Sequence, residues 1–573
     1  MGSVTSGSDE PSPQPAAVDD RDEIVISTDE AVVNNAAIRA LRRDVSLFQR
    51  GGKLVHVVRD SGHGEIDRPM GAPRVVPISL AGLRERLTGV AKFVTLQSTK
   101  DGEQARPEHP PKWCYEAIAA RGEWSGIRCL SGVVTAPVLR PDGSVLNLAG
   151  HDPQTGLLFD PQGVTFPVVG HPSRKDALRA TANLLDLVTN FPFSKPEHRA
   201  AWLAFLLTPL ARFAFAGPAP LFLVDANIRG SGKSLLCDVV SLIVTGREMP
   251  RMSNPESDGE CRKRITSVAL AGDTLCLIDN IDGDFGCPSL DAALTSTVWQ
   301  DRLMGTNETP ALPLFVTWCA TGNNVVLIGD TSRRVAHIRL NSPLESPEQR
   351  DDLKHEDLKS YVRQHRPGLL ADALTILAAF CRTGCPQQKL PTWGSFEDWS
   401  DLVRQAIVWC GQPDPVATRT ELVKRADREA AALPALVNGW DELDPDRFGV
   451  TATEIISRLS QHPDQYEQVR SALMELCPPK DGGLLPSVGS LGKKLGHLRG
   501  RVVCGRFIDS RDNRSKVKAW FVCGEAAGDD GDAGDNSDAL TREVEGLPTR
   551  EPIGKVAELS PASPASPASG ISV

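Results

Sequence analysis

The sequence predicts an α/β fold, in which a parallel sheet carries helices on its faces. Three observations predict it. An apolar run at 221–226 leads through a glycine-rich loop into an amphipathic helix over 235–244. Two further apolar runs, at 273–284 and 312–324, each end in polar residues, as buried parallel strands do where they reach the sheet edge. From residue 369 onward, apolar residues recur at helical spacing.

The strongest chemical signal is the segment LFLVDANIRGSGKS at 221–234, which has the parts of a P-loop in the required order. A strand aims the loop, glycines let backbone N–H groups close on phosphate, and the next helix adds its positive dipole end. Asn227 stands where G-x-x-x-x-G-K-[ST] has its first glycine, and Asn is a residue that tolerates positive φ. The opposing interpretation is a chance Gly-Lys-Ser turn. The predicted ATP-binding residues are Asn227, Gly230, Ser231, Gly232, Lys233 and Ser234, with Lys233 at the β/γ-phosphates and Ser234 on Mg²⁺.

A second strand, DTLCLIDNIDGD at 273–284, reaches Asp279 after the apolar stretch LCLI at 275–278. A carboxylate at the end of such a strand holds Mg²⁺ through water, so we predict Asp279 as the second metal-binding residue. The next position, where a second carboxylate often polarises the attacking water, is Asn280, which orients water but accepts no proton. Asp282 and Asp284 are the alternatives, and the identity of the base stays open.

A third strand, within 312–324, ends at Asn323, placed to position water against the γ-phosphate. Ten residues later, Arg333 and Arg334 precede another predicted strand. A guanidinium suits the charge that develops on a transferring phosphoryl group. The alternative for an arginine pair is a solvated turn, and which of the two arginines acts is left open.

The order of P-loop, acid-ended strand, Asn-ended strand and arginine pair resembles the superfamily 3 helicases and related AAA+ proteins. More closely, residues 125–345 resemble the primase-helicase ATPases of phages, prophages and mobile elements. The resemblance implies an ATP-driven DNA helicase or translocase that forms a homo-hexamer, with a separate primase or other replication proteins as partners. The stretches that carry it are VVTAPVLRPDGSVLNLAGHDPQTGLLFD (133–160), FPFSKPEHRAAWLAFLLTPLAR (191–212), the P-loop, LDAALTSTVWQDRLMG (290–305), WCATGNNVVLIGDTSRR (318–334) and DWSDLVRQAIVWCGQPDP (398–415).

In that family a loop or hairpin between the second and third strands lines the pore, which here implies residues 296–311. Arg302 and Asn307 are the candidate contacts with single-stranded DNA, and the equal alternative is that Arg302 caps or pairs within its own subunit. Residues 31–130 show no primase signature, so the chain resembles the helicase part alone.

The C-terminal region has the order of a winged helix: three helical segments and then a hairpin pattern, over 446–523. Residues 486–523 carry nine bases and two acids, a charge that favours binding to duplex DNA through phosphates. The alternative is a winged helix used for protein contact. The predicted DNA-binding residues are Lys493, Lys494 and Arg499 on the third helix and Arg511 and Arg514 on the wing.

The remaining boundaries follow from composition. Residues 1–30 and 524–573 each carry a net charge of −7, so the total of −10 leaves +4 for residues 31–523. Both acidic segments have too little apolar surface to fold and are predicted to be disordered tails. Between them we predict an N-terminal α/β domain (31–170), a P-loop ATPase core (171–345), a helical lid (346–445) and the winged helix.

The absence of a recognisable targeting pattern predicts a cytoplasmic protein. The N-terminus lacks a signal pattern. The most apolar stretch, 201–224, is interrupted by Arg212 and Gly217-Pro218, so it predicts a helix, a loop and a buried strand and no membrane contact. Two alternatives to a translocase stay open: a DNA-bound AAA+ initiator or loader that does not unwind, and a degenerate nucleotide-binding scaffold. Asn227 and Asn280 motivate the second.

Overall fold

A computed structural model describes residues 21–60, 66–100, 102–302, 309–347, 354–479, 484–512 and 517–524, without the side chains of 425–430. These residues form a mixed α/β fold with a parallel five-stranded sheet, as the sequence predicts. Within the described part of the chain, no helix combines the length and apolar character needed to cross a membrane.

The N-terminal region consists of small sheets covered by short helices. Strands β1, β5 and β6 form one sheet, and the order β4-β3-β2-β7 forms another. The elements are β1 (Asp22–Val25), α1 (Glu30–Leu41), β2 (Phe48–Arg50), β3 (Lys53–Arg59), β4 (Pro73–Pro77), α2 (Leu80–Val90), β5 (Ala91–Thr99), β6 (Gly102–Glu108), α3 (Lys112–Ala120), β7 (Arg128–Cys129), β8 (Gly132–Val134), β9 (Val138–Leu139), β10 (Val145–Leu146), β11 (Gly150–Asp152) and β12 (Leu157–Phe159).

The boundary predicted at residue 30 is wrong for residues 22–30. Strand β1 runs parallel to β5 and pairs with it from Asp22 to Val25. Ile24 is buried in the core of this region, and the Asp29 side chain caps α1 by accepting a hydrogen bond from the Val32 N–H. A short strand beside an acidic segment shows no periodicity of its own, because its partner β5 lies more than sixty residues away in sequence. Residues 1–20 and 525–573 lie outside the described residues.

The central region is a parallel sheet in the order β14-β15-β19-β13-β21, with helices on both faces. Every residue of β13, an interior strand between β19 and β21, is buried, which explains the apolar run in the sequence. A short 3₁₀ helix over Gly329–Arg333 leads into β21. The elements are α4 (Arg174–Asp186), α5 (Pro196–Ala211), β13 (Leu221–Ala226), α6 (Lys233–Thr245), β14 (Arg251–Ser253), α7 (Asp258–Ala271), β15 (Leu275–Ile281), β16 (Asp284–Phe285), α8 (Pro288–Ala293), β17 (Val298–Gln300), β18 (Ala311–Pro313), β19 (Thr317–Asn323), β20 (Val326–Leu327) and β21 (Val335–Leu340).

Two apolar cores lie on opposite faces of this sheet. One contains α5, α6 and the helical region that follows the sheet, and the other contains α7, α8 and β18. Helix α5 is apolar around most of its circumference and begins with Pro196, the residue best tolerated in a first turn. The apolar stretch at 201–224 therefore contains most of a buried helix, a loop and the start of β13, as predicted.

The helical region and the C-terminal unit follow. The elements are α9 (Leu358–Arg382), α10 (Glu397–Trp399), a π-helical turn (Ser400–Arg404), α11 (Gln405–Trp409), α12 (Arg419–Asn438), α13 (Trp440–Leu443), β22 (Val450–Thr451), α14 (Ala452–Gln461), α15 (Glu467–Leu476), α16 (Val488–Leu498), β23 (Phe507–Asp512) and β24 (Lys518–Cys523). Strands β22, β24 and β23 form an antiparallel sheet. A reciprocal capping box between Thr451 and Glu454 starts α14.

The C-terminal core extends across the boundary predicted at residue 445. Leu436, Val437 and Trp440, at the end of α12 and the start of α13, pack in one apolar cluster with α14, α15 and α16. Arg506, only 1% exposed, donates hydrogen bonds to the Val437 carbonyl (3.2 Å) and to Asp441 (2.6 Å). The end of the helical region is therefore part of the C-terminal unit.

A buried histidine lies between α5 and the sheet. The His198 Nδ1–H donates to the His337 carbonyl of β21 at 2.8 Å, and the two imidazole rings meet edge to face at 5.1 Å. Burial, and to a smaller extent the neighbouring His337, lowers the pKa of His198 to about 4.

This pKa predicts an acid-sensitive core. The unfolded chain protonates His198 as the pH falls through about 6.5, whereas the folded protein keeps it neutral down to about 4. Between about pH 6.5 and pH 4 the unfolded state thus binds more protons than the folded state. The free energy of unfolding therefore decreases as the pH is lowered through this range, by about 3 kcal/mol in all. Urea unfolding followed by tryptophan emission across this window tests it. His198→Gln should flatten the pH dependence and exposed His109→Gln should not; equal slopes in the wild type and in His198→Gln would contradict the assignment.

Candidate active site

The loop between β13 and α6 has a conformation that depends on glycine. Gly230 and Gly232 have φ of 76° and 84°, in the left-handed region, and Gly232 is the N-cap residue of α6. A Cβ atom on Gly232 would come within 2.7 Å of the Phe191 ring. Inside the loop the buried Ser231 hydroxyl donates to the Ile228 carbonyl at 2.7 Å. The backbone thus curls ahead of a 13-residue helix, leaving first-turn N–H groups at its N-terminus.

Asn227 does not act as a replacement for glycine. It is absent from the non-glycine residues with positive φ. Its side-chain amide instead donates to the Ser342 carbonyl (2.8 Å) and accepts from the Ser342 N–H (2.9 Å). The expectation from the sequence was wrong because this amide finds a backbone partner beyond β21, about 115 residues away, and anchors the loop there.

Lys233 and Asn323 meet at the carboxyl ends of two adjacent strands. The Lys233 ammonium donates to the Asn323 Oδ1 at 2.8 Å. Burial lowers the pKa of Lys233 below its usual value, and the carboxylates of Asp225 and Asp279 oppose this only in part. Strands β13 and β19 are neighbours in parallel register, with Ala226 opposite Asn323, and this places the two side chains together.

Ser234 and Asp279 also converge. The Ser234 hydroxyl donates to Asp279 Oδ1 at 3.2 Å, and the Asn280 N–H donates to the same oxygen at 3.0 Å. Asp279 does not end its strand: β15 continues to Ile281 through a bulge. Asn280 sits in that bulge with φ of 57° and its side chain exposed, a conformation that Asn tolerates.

The two alternative carboxylates have different surroundings. Asp282 is exposed, whereas Asp284 forms an ion pair with Arg501 of the C-terminal unit at 3.1 Å. A carboxylate held by a guanidinium is a poorer proton acceptor, because the ion pair stabilises its charged form. Of the two candidates, Asp282 is the one with greater access to solvent.

The paired arginines differ as well. Arg334 is held within the chain by Asp291 of α8 (2.9 Å) and by Asp330 (3.3 Å). Arg333 is exposed, and among the described residues its side chain has no ion-pair partner. Its carbonyl accepts a hydrogen bond from the Trp393 indole at 3.0 Å, which fixes the backbone below it. Arg333 is therefore the arginine that is free to contact another molecule.

Two residues at this site were not found from the sequence. Thr321 donates its hydroxyl to Asp279 Oδ1 and accepts the Asn280 N–H at 3.1 Å. The spacing in the sequence could have indicated Thr321, because it lies two residues before Asn323 and both side chains point to the same side of β19. Arg251 places one nitrogen 3.3 Å from Asp279 Oδ2. Nothing local in the sequence marks Arg251, because the contact joins β14 to β15 across the sheet.

The predicted DNA-binding residues Lys493, Lys494 and Arg499 belong to α16 and its C-cap. Lys493 is exposed on α16, beside an open groove of about 580 Å³ that Lys518 and Trp520 also line. Lys494 is half-buried, and Arg499 pairs with Asp509 at 2.6 Å.

Two of the other predicted contacts, Arg511 and Arg302, lie in or beside antiparallel strand pairs. Arg511 is exposed and donates to the Phe448 carbonyl at 2.6 Å. Arg514 lies outside the described residues. Arg302 is exposed after β17, which pairs with β18, and its N–H donates to Asp301 at 2.8 Å. Residues 303–308 of that connection are outside the described residues.

The donor set at Ser234 and Asp279 fits Mg²⁺. One hydroxyl and one carboxylate oxygen converge, and Mg²⁺ is typically held by few protein oxygens together with waters and substrate phosphates. In the described ranges no group of three or more His, Cys, Asp or Glu side chains is placed to hold a metal ion. The half-buried Lys233 and the N-terminus of α6 fit a phosphate chain beside it.

Comparisons with known proteins give a distant likeness. No protein-family model and no curated protein matches the chain. Two solved structures of the apo NrS-1 C-terminal region align at 13% and 11% identity, with TM-scores of 0.31 and 0.30. They cover 78% and 82% of this chain, and the chain covers 99% and 96% of theirs. An inhibitor-bound JCV helicase aligns over 45% of this chain and 69% of its own, at 13% identity and a TM-score of 0.20. TM-scores this low carry no argument about function.

The loop geometry predicts that Gly232→Ala damages this site. Position 232 has a left-handed φ of 84°, which costs an L residue about 1–2 kcal/mol. The added Cβ also comes too close to the Phe191 ring. We expect a lower thermal midpoint and at least about tenfold weaker binding of Mg²⁺·ADP, since 1.4 kcal/mol corresponds to tenfold. Calorimetric titration measures the binding. Gly259→Ala is the matched control, because Gly259 lies in α7 with no atom within 4 Å of an added Cβ. Unchanged binding in Gly232→Ala would show that the loop does not contact the nucleotide.

Proposed function

We propose that this protein is an ATP-hydrolysing DNA helicase or translocase of a phage or mobile-element replication system. The observation that carries the proposal is the convergence of Lys233, Asn323, Ser234 and Asp279 at one edge of a parallel sheet. These are a cation, an amide, a hydroxyl and a carboxylate, at the carboxyl ends of β13, β15 and β19. This set suits a nucleoside triphosphate with its metal ion.

In this proposal each side chain has one role. The loop N–H groups and Lys233 hold the β- and γ-phosphates, while Ser234 and Asp279 hold Mg²⁺. Bound Mg²⁺ supplies positive charge to the phosphate oxygens. Asn323 lies next to Lys233 and orients the attacking water toward the γ-phosphorus. Thr321 and the Asn280 N–H keep Asp279 in its orientation by hydrogen bonding to its Oδ1, as partners of a metal ligand do.

Arg333 is the proposed arginine finger. It is exposed, whereas Arg334 is engaged by Asp291 and Asp330 of its own chain. In the proposed homo-hexamer, this exposed guanidinium at the end of the 3₁₀ helix would reach the nucleotide of a neighbouring subunit. A finger supplied in this way stabilises charge in the phosphoryl-transfer transition state.

The C-terminal unit is the proposed duplex-binding domain. Its three helices and antiparallel hairpin have the order of a winged helix. Lys493 and Lys494 on α16, with Arg499, Arg511 and Arg514 nearby in sequence, would contact phosphates, and Arg302 beside the β17–β18 pair would contact single-stranded DNA. Because phosphate contacts position a protein without reading sequence, the proposal names no target site. A separate primase completes the replication machinery.

A second candidate, a nucleotide-binding scaffold or a DNA-bound switch, is favoured by one observation. Asp284 is held by Arg501, and the residue after Asp279 is Asn280, so no strong base is evident beside the Ser234–Asp279 pair within the described residues. Such a protein would bind nucleotide persistently and release little phosphate.

Steady-state ATP hydrolysis with and without single-stranded DNA separates the candidates. We expect DNA-stimulated turnover that Lys233→Ala lowers by at least about a hundredfold, because an essential charge at the phosphates is removed. Lys263→Ala is the control, since Lys263 is an exposed lysine on α7. Nucleotide binding without turnover in the wild type would favour the scaffold, and turnover that survives Lys233→Ala would remove the P-loop assignment.

The two arginines predict opposite phenotypes. Arg333→Ala should keep its thermal midpoint and nucleotide affinity but lose turnover by about 10³-fold or more. Arg334→Ala should lower the thermal midpoint, because Asp291 loses a half-buried partner. Mixing Arg333→Ala with Lys233→Ala subunits should restore part of the turnover, since mixed rings contain sites with one intact copy of each. Failure to restore turnover at every mixing ratio would count against a shared site.

A further inference from the structure

Arg251 lies between two carboxylates. It begins β14, the edge strand that runs parallel to β15, and its two terminal nitrogens point in different directions. One lies 3.3 Å from Asp279 Oδ2 and the other lies 2.8 Å from Asp238 Oδ1. The guanidinium therefore connects the carboxylate proposed to hold Mg²⁺ with a second, buried carboxylate on α6.

Asp238 is the centre of a longer chain of ion pairs. Only 3% of its side chain is exposed, and its other oxygen lies 2.8 Å from the Lys359 ammonium in the first turn of α9. Lys359 also lies 2.9 Å from Glu248, and the Met249 N–H donates to Asp238 at 3.3 Å. Charges thus alternate in sign from Asp279 to α9, through Arg251, Asp238 and Lys359.

The members of this chain depend on one another. A carboxylate as buried as Asp238 is poorly solvated, so removal of either cation strengthens its attraction to the cation that remains. Arg251 is also shared: positive charge arriving at Asp279 repels the guanidinium, whereas Asp238 attracts it. A change at Asp279 can therefore reach Lys359 through side chains in direct contact.

We propose that Arg251 is a positioning residue that couples the metal-binding carboxylate Asp279 to helix α9. With Mg²⁺·nucleotide at Asp279, Arg251 moves its interaction to Asp238, and Lys359 loosens from Asp238, which releases the first turn of α9. Without Mg²⁺·nucleotide, Arg251 neutralises Asp279 and Lys359 anchors α9. This inference rests on the proposed function, because it assigns a regulatory partner to the same site.

The test is a double-mutant cycle on Mg²⁺·ADP affinity, measured by calorimetry. Lys359→Met should tighten binding by about threefold to tenfold, because Asp238 then draws Arg251 away from Asp279. Arg251→Met should also tighten binding, and Lys359→Met should have no further effect in the Arg251→Met background. ADP without Mg²⁺ should bind all variants equally. A purely structural ion-pair network would instead weaken binding or leave it unchanged.

Three further measurements complete the experiment. Lys354→Met is the matched control, because Lys354 lies just before α9 and pairs with Asp186 of α4 instead. Amide hydrogen exchange in the first turn of α9 should rise with Mg²⁺·ADP in the wild type and not in Arg251→Met. If Arg251→Met does not fold, Arg251→Lys keeps the charge and should retain the coupling to Lys359.

The outcomes are separable. Additive effects of Arg251→Met and Lys359→Met, an equal effect of Lys354→Met, or no effect of Lys359→Met would each overturn the coupling and leave the proposed function intact. A wild-type chain that binds no Mg²⁺·ADP would overturn the proposed function and the coupling together.

Discussion

The Asp279 carboxylate is the point at which the parts of the site are joined. One of its oxygens accepts hydrogen bonds from the hydroxyls of Ser234 and Thr321 and from the Asn280 N–H, and the other lies beside Arg251. These donors come from α6, β19, the bulge of β15 and β14. A carboxylate that accepts several hydrogen bonds is fixed in one orientation. Asp279 therefore holds the start of α6, strand β19 and the edge strand β14 in fixed positions relative to one another.

Beneath the loop, a second group of charges sets the electrostatics of Lys233. Asp225, at the end of β13, is 2% exposed, pairs with Arg339 and lies 3.5 Å from the His337 ring. Burial raises the pKa of Asp225, but the neighbouring His337 ring and the charge of Arg339 outweigh burial, so the pKa is lowered overall. Asp225 thus remains a carboxylate close to Lys233 and partly offsets the desolvation of the ammonium. A lysine that is poorly solvated yet close to an anion gains strongly from a phosphate, because the phosphate replaces the solvation that burial removed.

The sequence predicted those features that are local in the chain. The buried strand, the glycines at 230 and 232 and the start of α6 depend on neighbouring residues, and parallel pairing then brought Asn323 to Lys233. The features that escaped prediction depend on distant partners. Asn227 formed side-chain hydrogen bonds to Ser342 in place of a positive φ, β1 paired with β5, and Arg251 contacted Asp279 on the neighbouring strand. The unexpected bulge at Asn280 arises because β15 continues past Asp279 beside β19.

The same distinction applies to the charge of the C-terminal unit. The nine bases of residues 486–523 predict a strongly basic surface, but in the structure several of them are buried or paired with carboxylates. Arg506 is buried against Asp441, Arg501 is paired with Asp284, and Arg499 with Asp509. Lys493 and Lys518, which flank the groove beside α16, are exposed. Part of the positive charge therefore fastens this unit to the helical region and to the segment after β15, and the exposed, unpaired positive charge is smaller than the composition suggests. Because Arg501 holds Asp284, a carboxylate only five residues from Asp279, the C-terminal unit and the proposed hydrolytic site are connected through one polypeptide segment.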